Sequence, residues 1–280
     1  MRKLQDFFSS SFIKISGLFY SRTIDEMLLG EKYKVLRGTF KDKPDYDDGW
    51  LFALAQEAKS VFDVGSNIGQ SAMLIMHSKK VEDIVLIDPN PSALAMAATN
   101  LIVNGRSSNA RFVCAFASEE SGENVEFFTI GVGAAGSMYS GHAKTASKVH
   151  ASYSVPTITL DALSQKYALI PDLIKIDTEG AESQVLNGAV DISQHQKTKF
   201  LVEMHSQPEL GMVENATKVL DWCQVNHYQS WYLKEKQRLT DPAQIAHRGR
   251  CHLLLIPINE SFPRYLIPIK QGERLEAVQL

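Results

Sequence analysis

Short β-branched apolar runs alternate with helical patterns along most of this chain, and that alternation leaves few folds open. Ile84-Val85-Leu86-Ile87 and Leu253-Leu254-Leu255-Ile256 are apolar at every position. A strand reads that way when both of its faces are covered, as in a parallel sheet between two layers of helices. Strands are expected at Ser60–Val64, Asp83–Asp88, Arg111–Phe116, Asp172–Asp177, Lys199–His205, Gln229–Leu233 and Cys251–Pro257. Helices are expected at Gly69–His77, Pro91–Asn104, Leu160–Ala168, Ala181–Val190 and Val213–Asn226. Pro91 marks a helix start, because proline suits the first turn. The expected architecture is α/β, with a Rossmann-like, seven-stranded, mostly parallel sheet and helices on both faces.

Two regions break the alternation. Residues 1–58 read as a mostly helical N-terminal extension, with a helix at Tyr46–Ala58 feeding the first strand of a domain at 59–280. Residues 117–159 read as an insertion. Asn124–Ile130 and Tyr153–Thr159 are its expected strands, and Gly131–Lys148 between them is rich in Gly, Ala and Ser. A connection of that length is usually functional or mobile.

Composition excludes several classes. Lys plus Arg number 29 and Asp plus Glu 32, a formal charge of −3 over 280 residues. Nucleic-acid binding wants a basic surface, so no nucleic-acid partner is expected. With 44% apolar and 22% charged residues the chain is not wholesale disordered. Cys114, Cys223 and Cys251 are odd in number, far apart and without a C-x-x-C. They read as buried free thiols in a reducing, cytoplasmic compartment rather than as disulfides or zinc ligands. No apolar run reaches the length of a bilayer span, so no transmembrane segment is expected. Residues 1–20 interleave basic and aromatic side chains. They read as a helix packed on the domain or a partner, with peripheral membrane contact as the alternative. The triplets Asn215-Ala216-Thr217 and Asn259-Glu260-Ser261 read as coincidental matches to the glycosylation pattern. The oligomeric state is left open.

The first chemical constellation follows Val61-Phe62-Asp63-Val64. The strand runs into Gly65-Ser66-Asn67-Ile68-Gly69 and then a helix. Such a turn lets backbone N–H groups approach a ligand closely. Asp88 ends the next strand, just before Pro89, where an acid can bind a ribose diol. Dinucleotide binders share this layout but want G-x-G-x-x-G, and Asn67 stands where the second glycine would be. Asp63 is an odd neighbour for a phosphate and a good one for an ammonium. The set Asp63, Gly65, Ser66, Asn67, Gly69, Asp88 and Pro89 therefore favours S-adenosylmethionine, which has a ribose and an amino acid but no phosphate.

The second constellation is Asp172-Leu173-Ile174-Lys175-Ile176-Asp177-Thr178-Glu179-Gly180-Ala181-Glu182, an apolar strand ending in acids, a glycine and a helix start. Ligands of open α/β sheets bind beyond the carboxyl ends of strands. Asp177 and Glu179 are two residues apart and can share a face, or Glu179 can cap the helix that follows. Glu203 and His205 end the next strand with the same spacing. If the strands are neighbours, Asp177, Glu203 and His205 converge at one rim.

At these residues the chain resembles the FkbM family of S-adenosylmethionine-dependent methyltransferases. The similarity lies in Val61–Gly69, in Ile174–Glu182 and in the strand ending Glu203-Met204-His205, and spans roughly residues 58–256. It implies a class I methyltransferase fold and O-methylation of a hydroxyl on a sugar, glycan or secondary metabolite. It implies cofactor roles for Asp63, Gly65, Asn67, Gly69 and Asp88. Phe116 or Ala117, closing the third strand, would flank the adenine, and Asp177 would border the cofactor.

Methyl transfer from a sulfonium requires alignment and removal of the acceptor proton. His205 is the first candidate for the base. Asp177 is the second, or orients the acceptor, with Glu203 beside them. A divalent ion held by Asp177, Glu203 and His205 is an alternative that is not favoured, and no metal ligand is assigned. Gly136-Ser137-Met138-Tyr139 reads either as a lid with Ser137 near the cofactor or as a surface loop. The rival readings are a binding protein that kept the fold without catalysis, and an NAD(P)-dependent oxidoreductase, which Asn67 and Asp63 disfavour.

Overall fold

The computed structural model describes residues 23–40, 45–128, 152–206 and 210–278. Its strands are β1 (Thr23–Leu28), β2 (Glu31–Leu36), β3 (Ser60–Val64), β4 (Asp83–Ile87), β5 (Ala110–Val113), β6 (Phe116–Ala117), β7 (Asn124–Phe128), β8 (Ser152–Ile158), β9 (Leu173–Ile176), β10 (Lys199–His205), β11 (Tyr228–Tyr232), β12 (Gln237–Leu239) and β13 (Arg250–Pro257). Its α-helices are α1 (Asp48–Ala55), α2 (Gln70–His77), α3 (Pro91–Val103), α4 (Leu160–Tyr167), α5 (Glu182–Asn187), α6 (Val190–Gln194) and α7 (Met212–Val225).

The main sheet runs β12-β11-β13-β10-β9-β3-β4-β5. Neighbours from β10 through β5 pair in parallel. β13 enters between β10 and β11, antiparallel to both. The sheet has eight strands rather than the expected seven, because the turn after β11 adds the short β12. Alternate side chains of each strand feed two apolar layers. Val61, Ile84, Leu86, Leu173, Leu201, Leu254 and Ile256 join one core with α1 and α2. Phe62, Val64, Val85, Ile87, Ile174, Phe200 and Leu255 join the other with α4, α5 and α7. Burial on both faces is why these runs are apolar throughout.

The mostly helical reading of residues 1–58 is corrected where the chain is described. β1 and β2 form an antiparallel hairpin before the single helix α1. Leu29 and Gly30 both have positive φ, 50° and 78°, which a two-residue hairpin turn requires. Tyr33 and Val35 alternate inward. The hairpin is tied to α3, whose Asn100 Oδ1 accepts the Leu36 N–H at 2.8 Å, and to its C-cap residue Asn104, whose Oδ1 accepts that of Lys34 at 2.9 Å. Residues 1–20, expected to form a helix, lie outside the described residues.

α3 begins at Pro91, as expected, with Asn90 accepting N–H bonds from Ser92 and Ala93. The expected helix Ala181–Val190 is two short helices, α5 and α6. The third strand stops at Val113, short of Phe116. Phe116 and Ala117 turn away to pair with β8, which also pairs with β7, so the insertion builds a small sheet of its own. Because the chain leaves the main sheet there, Cys114 is exposed rather than buried; Cys223 and Cys251 are buried, and all three are free. Asn215 is fully buried and so is not a glycan acceptor. Among the described residues no helix is long and apolar enough to cross a membrane.

Candidate active site

The carboxyl ends of β4, β3, β9 and β10 meet at one rim, and the loops leaving them build the site. After β3 the chain turns sharply at Gly65, whose N–H donates to Ile87 O at 2.9 Å. Gly65 has φ +76°, and a Cβ there would overlap the Asp177 carbonyl. Only glycine lets the two loops approach this closely. Asn67 is left-handed, with φ 45°, and its N–H donates to Asp88 Oδ2 at 2.8 Å. The Asn90 N–H donates to Asp88 Oδ1 at 2.8 Å. Burial pushes the Asp88 carboxyl up to about 6, and these two backbone bonds limit the rise.

Two cavities open on this loop. The first is lined by Gly65, Asn67, Asp88, Pro89, Phe116 and Phe127 among others, and is closed by Asp177, Thr178 and Glu179. Phe116 and Phe127 stand 6.4 Å apart by ring centroid, an apolar wall beside Asp88. The Tyr153 hydroxyl, from the insertion, donates to Pro89 O at 3.1 Å. The second cavity is lined by Asp45, Asp47, Asp48, Ser66, Lys175, Asp177 and Glu203, with Gly65 and Asn67 again. Its five carboxylates outnumber its one lysine. A cofactor with a ribose and a cationic tail suits this pair of cavities. Two buried hydroxyls also call for a partner: Thr178 Oγ1 at the first cavity and Ser66 Oγ at the second make no hydrogen bond.

The turn after β9 carries the acids. Glu179 is held left-handed, with φ 54°, and Gly180 follows at 109°. Glu182 fixes the turn by accepting the Gly180 N–H at 2.9 Å. Glu179 does not cap the next helix, whose N-cap is Ala181 without a side-chain bond. It points instead to His205, 3.3 Å from Nε2. His205 Nδ1 lies 2.9 Å from Glu182 Oε1, Glu203 is 3.5 Å from Nε2, and Asp177 is 4.0 Å away. Burial disfavours the charged ring, but bonds to Glu182 and Glu203 and the charge of Glu179 outweigh it and push His205 up to about 11. An imidazolium has no lone pair to accept a proton. His205 also lines neither cavity. Neither feature favours the expected role of base for His205, and Asp177, the second candidate, faces both cavities.

Asp177 lines both cavities. Burial raises its carboxyl, Lys175 and His205 oppose the rise, and Glu203 and Glu179 add to it, bringing it to about 7. Glu203 stays ionised, because His205 and His252 outweigh its burial and Arg250 Nη1 pairs with it at 2.9 Å.

Gly65, Asn67, Asp88, Pro89, Phe116 and Asp177 thus line the first cavity, and Ser66 the second. Asp63 and Gly69 line neither. Asp63 is sealed under the loop, accepting from Ser71 Oγ at 2.7 Å and lying cross-strand from Lys175. Gly69 serves packing, since a Cβ there would come within 2.7 Å of Ala97 in α3. Ser137 and the expected lid lie outside the described residues. Sequence reasoning missed Phe127, Asp47, Arg250 and His252, and gave no role to Lys175 or Glu182, although both stand inside the distinctive motif. Lys175 is buried at 3.2 Å from Asp177, its charged form favoured by Asp177, Asp63, Asp47 and Glu203 against its burial.

Comparison with known proteins accords with this geometry. No curated protein matches the chain. Among solved structures it is similar to a methyltransferase FkbM from Methylobacillus flagellatus KT, with 17% identity and a TM-score of 0.45 over 71% of this chain. The chain spans 43% of that protein's length. It is similar to an O-methyltransferase from Bacillus cereus in complex with SAH, with 11% identity and a TM-score of 0.44 over 76% of this chain and 81% of that one. It is also similar to an rRNA methylase from Streptococcus thermophilus, with 10% identity and a TM-score of 0.44 over 75% of this chain and 95% of that one. The family model described as the methyltransferase FkbM domain matches residues 63–230, more than half of the sequence. The chain belongs to the FkbM family of methyltransferases.

Proposed function

We propose that the protein methylates a hydroxyl oxygen of a small-molecule or glycan acceptor. The observation that carries this reading is the position of Asp177 between the aromatic-walled cavity and the acid-lined one. With the adenosine in the first cavity and the cofactor's cationic tail against the acids of the second, an acceptor entering beside that tail would meet the cofactor at that carboxylate.

S-adenosylmethionine supplies, when bound, a methyl group already activated on a sulfonium. The remaining work falls to side chains of this chain. Asp88 accepts the ribose hydroxyls on lone pairs that its two amide bonds leave open. Phe116 and Phe127 flank the base. The acids of the second cavity face the cationic tail and repel a diphosphate, which counts against a nicotinamide dinucleotide. Asp177 would align the acceptor hydroxyl and take its proton, freeing the oxygen for the methyl group that the bound cofactor would supply. Alignment can supply about 7–11 kcal/mol of the barrier reduction in well-oriented sites, and a placed base about 10²–10⁴ in rate. His205 is a positioning residue that holds Glu179 and Glu203 in place. The free thiols fit a reducing compartment, and we place the protein in the cytoplasm.

Calorimetry with S-adenosylhomocysteine and with NAD tests the cofactor. Saturation by the first alone is expected; saturation by NAD alone overturns the reading. An acceptor screen with labelled methyl donor, starting from sugars and glycans, then tests the hydroxyl class.

A further inference from the structure

Glu203 and His252 are direct cross-strand partners in β10 and β13. Asp47, which leads into α1, comes down on the same pair. One ligand atom from each of Asp47, Glu203 and His252 lies within 4.8 Å of the other two. The methyl-transfer reading gives His252 no role and Asp47 only a share in the negative charge of the second cavity. Asp47 is only 5% exposed, and it is the N-cap of α1 without using its side chain as a cap. Its charge bears on Lys175 and Arg250. His252 is 2% exposed, and its Nε2 has no hydrogen-bond partner. It stands 3.5 Å from Glu203 Oε2.

A buried ring nitrogen without a hydrogen bond, set beside two buried carboxylates, is unfavourable unless something joins them. The cations that feel Asp47 are already engaged elsewhere. Lys175 pairs with Asp177, and Arg250 with Glu203 and Asp45. Two carboxylate oxygens and one imidazole nitrogen form a donor set for a divalent ion of the Mn²⁺ or Zn²⁺ kind, with positions left open. Arg250 and His205 approach Glu203 at Oε1, while Oε2 faces His252.

We propose that Asp47, Glu203 and His252 hold a divalent metal ion beside the acid-lined cavity, and that the acceptor presents two adjacent oxygens to its open positions. The second half of this proposal rests on the methyl-transfer reading; the metal site stands without it. The ion polarises the acceptor hydroxyl, whose proton passes to Asp177 as before. The other triad, Asp177, Glu203 and His205, is as compact, but both ring nitrogens of His205 already face carboxylates.

The test uses the full chain, stripped with a chelator and titrated with MnCl₂, with free Mn²⁺ read by electron paramagnetic resonance. One bound ion per chain is expected. Asp47→Asn and His252→Gln should each weaken it at least tenfold, while Asp177→Asn binds within threefold of the native protein. Circular dichroism of each variant reports folding, and if Asp47→Asn does not fold, His252→Gln carries the comparison. The proposal is overturned if the native protein has no saturable Mn²⁺ site. It is equally overturned if Asp177→Asn loses the ion while Asp47→Asn and His252→Gln keep it. Calorimetry with S-adenosylhomocysteine on the native preparation separates the two readings. Mn²⁺ without cofactor binding removes the methyltransferase reading, and cofactor binding without Mn²⁺ removes the metal.

Discussion

The backbone carbonyl of Asp177 occupies the space where a side chain at Gly65 would begin. The cofactor loop and the acid-bearing loop are thereby locked together at one atom. Gly65→Ala introduces that clash and also forces alanine to a φ of +76°, a backbone penalty of about 1–2 kcal/mol before the clash is added. Thermal unfolding should show a lowered Tm, and calorimetry a loss of S-adenosylhomocysteine binding. An unchanged isotherm would mean that the loop does not shape the cofactor cavity.

Asp88 gives the site a pH dependence. Its carboxyl is raised to about 6, so it protonates as pH falls through that value and no longer accepts two ribose donors. The Kd for S-adenosylhomocysteine should rise about tenfold per pH unit below about 6, and stay level above it. Asp88→Asn should flatten the profile at weak affinity. For folding alone the sign is opposite. A raised carboxyl favours the folded state at low pH, and that contribution fades between about 4 and about 6.

Asp177→Asn should lower kcat by about 10²–10⁴ if it removes a general base, while S-adenosylhomocysteine binds within a few fold of the native protein. Equal losses in kcat and in cofactor affinity would assign Asp177 to binding alone.

His205 should remain an imidazolium well above neutral pH. Nitrogen chemical shifts of its ring, followed from pH 6 to 10, should stay in the doubly protonated range. Titration near 6.5 would reopen its candidacy as the base. Glu182→Ala should destabilise the protein by about 3–5 kcal/mol in urea unfolding, since it strands a buried charge. It also removes one of the two acceptors of Asn215 Nδ2, which donates to Glu182 Oε2 at 2.9 Å and to His205 O at 3.1 Å.

Cys114 should react with a thiol reagent in the native protein as one fast equivalent. Cys223 and Cys251, buried in the second core, should appear only on unfolding. Three fast equivalents would contradict the packing around β13.

Much of the sheet is legible in the chain because burial on both faces writes itself as unbroken apolar runs. Ser60–Val64 and Lys199–His205 match their expected bounds. The convergence of Asp177, Glu203 and His205 is also legible, since all three close neighbouring strands. The hairpin β1–β2 was hidden. Its turn is Leu29-Gly30, not the Asn-Gly pair that announces such turns, although Tyr33 and Val35 carry the alternation. The ring of carboxylates around His205 could not be read, because Glu182 and Glu179 reach it from a turn whose shape depends on two positive φ values. Asp47 and His252 are remote from Glu203 along the chain. Only the antiparallel entry of β13, which no periodicity reveals, brings His252 to it.

That late entry of β13 has a consequence during synthesis. The five parallel strands are all made by residue 205, yet Arg250 and His252 arrive only with the strand that wedges in beside β10. A nascent chain can therefore assemble the cofactor loop while Glu203 still lacks its cross-strand neighbours. Docking of the last strand is the moment at which the polar rim becomes whole, so a chain stalled before it would carry the scaffold without its finished chemistry.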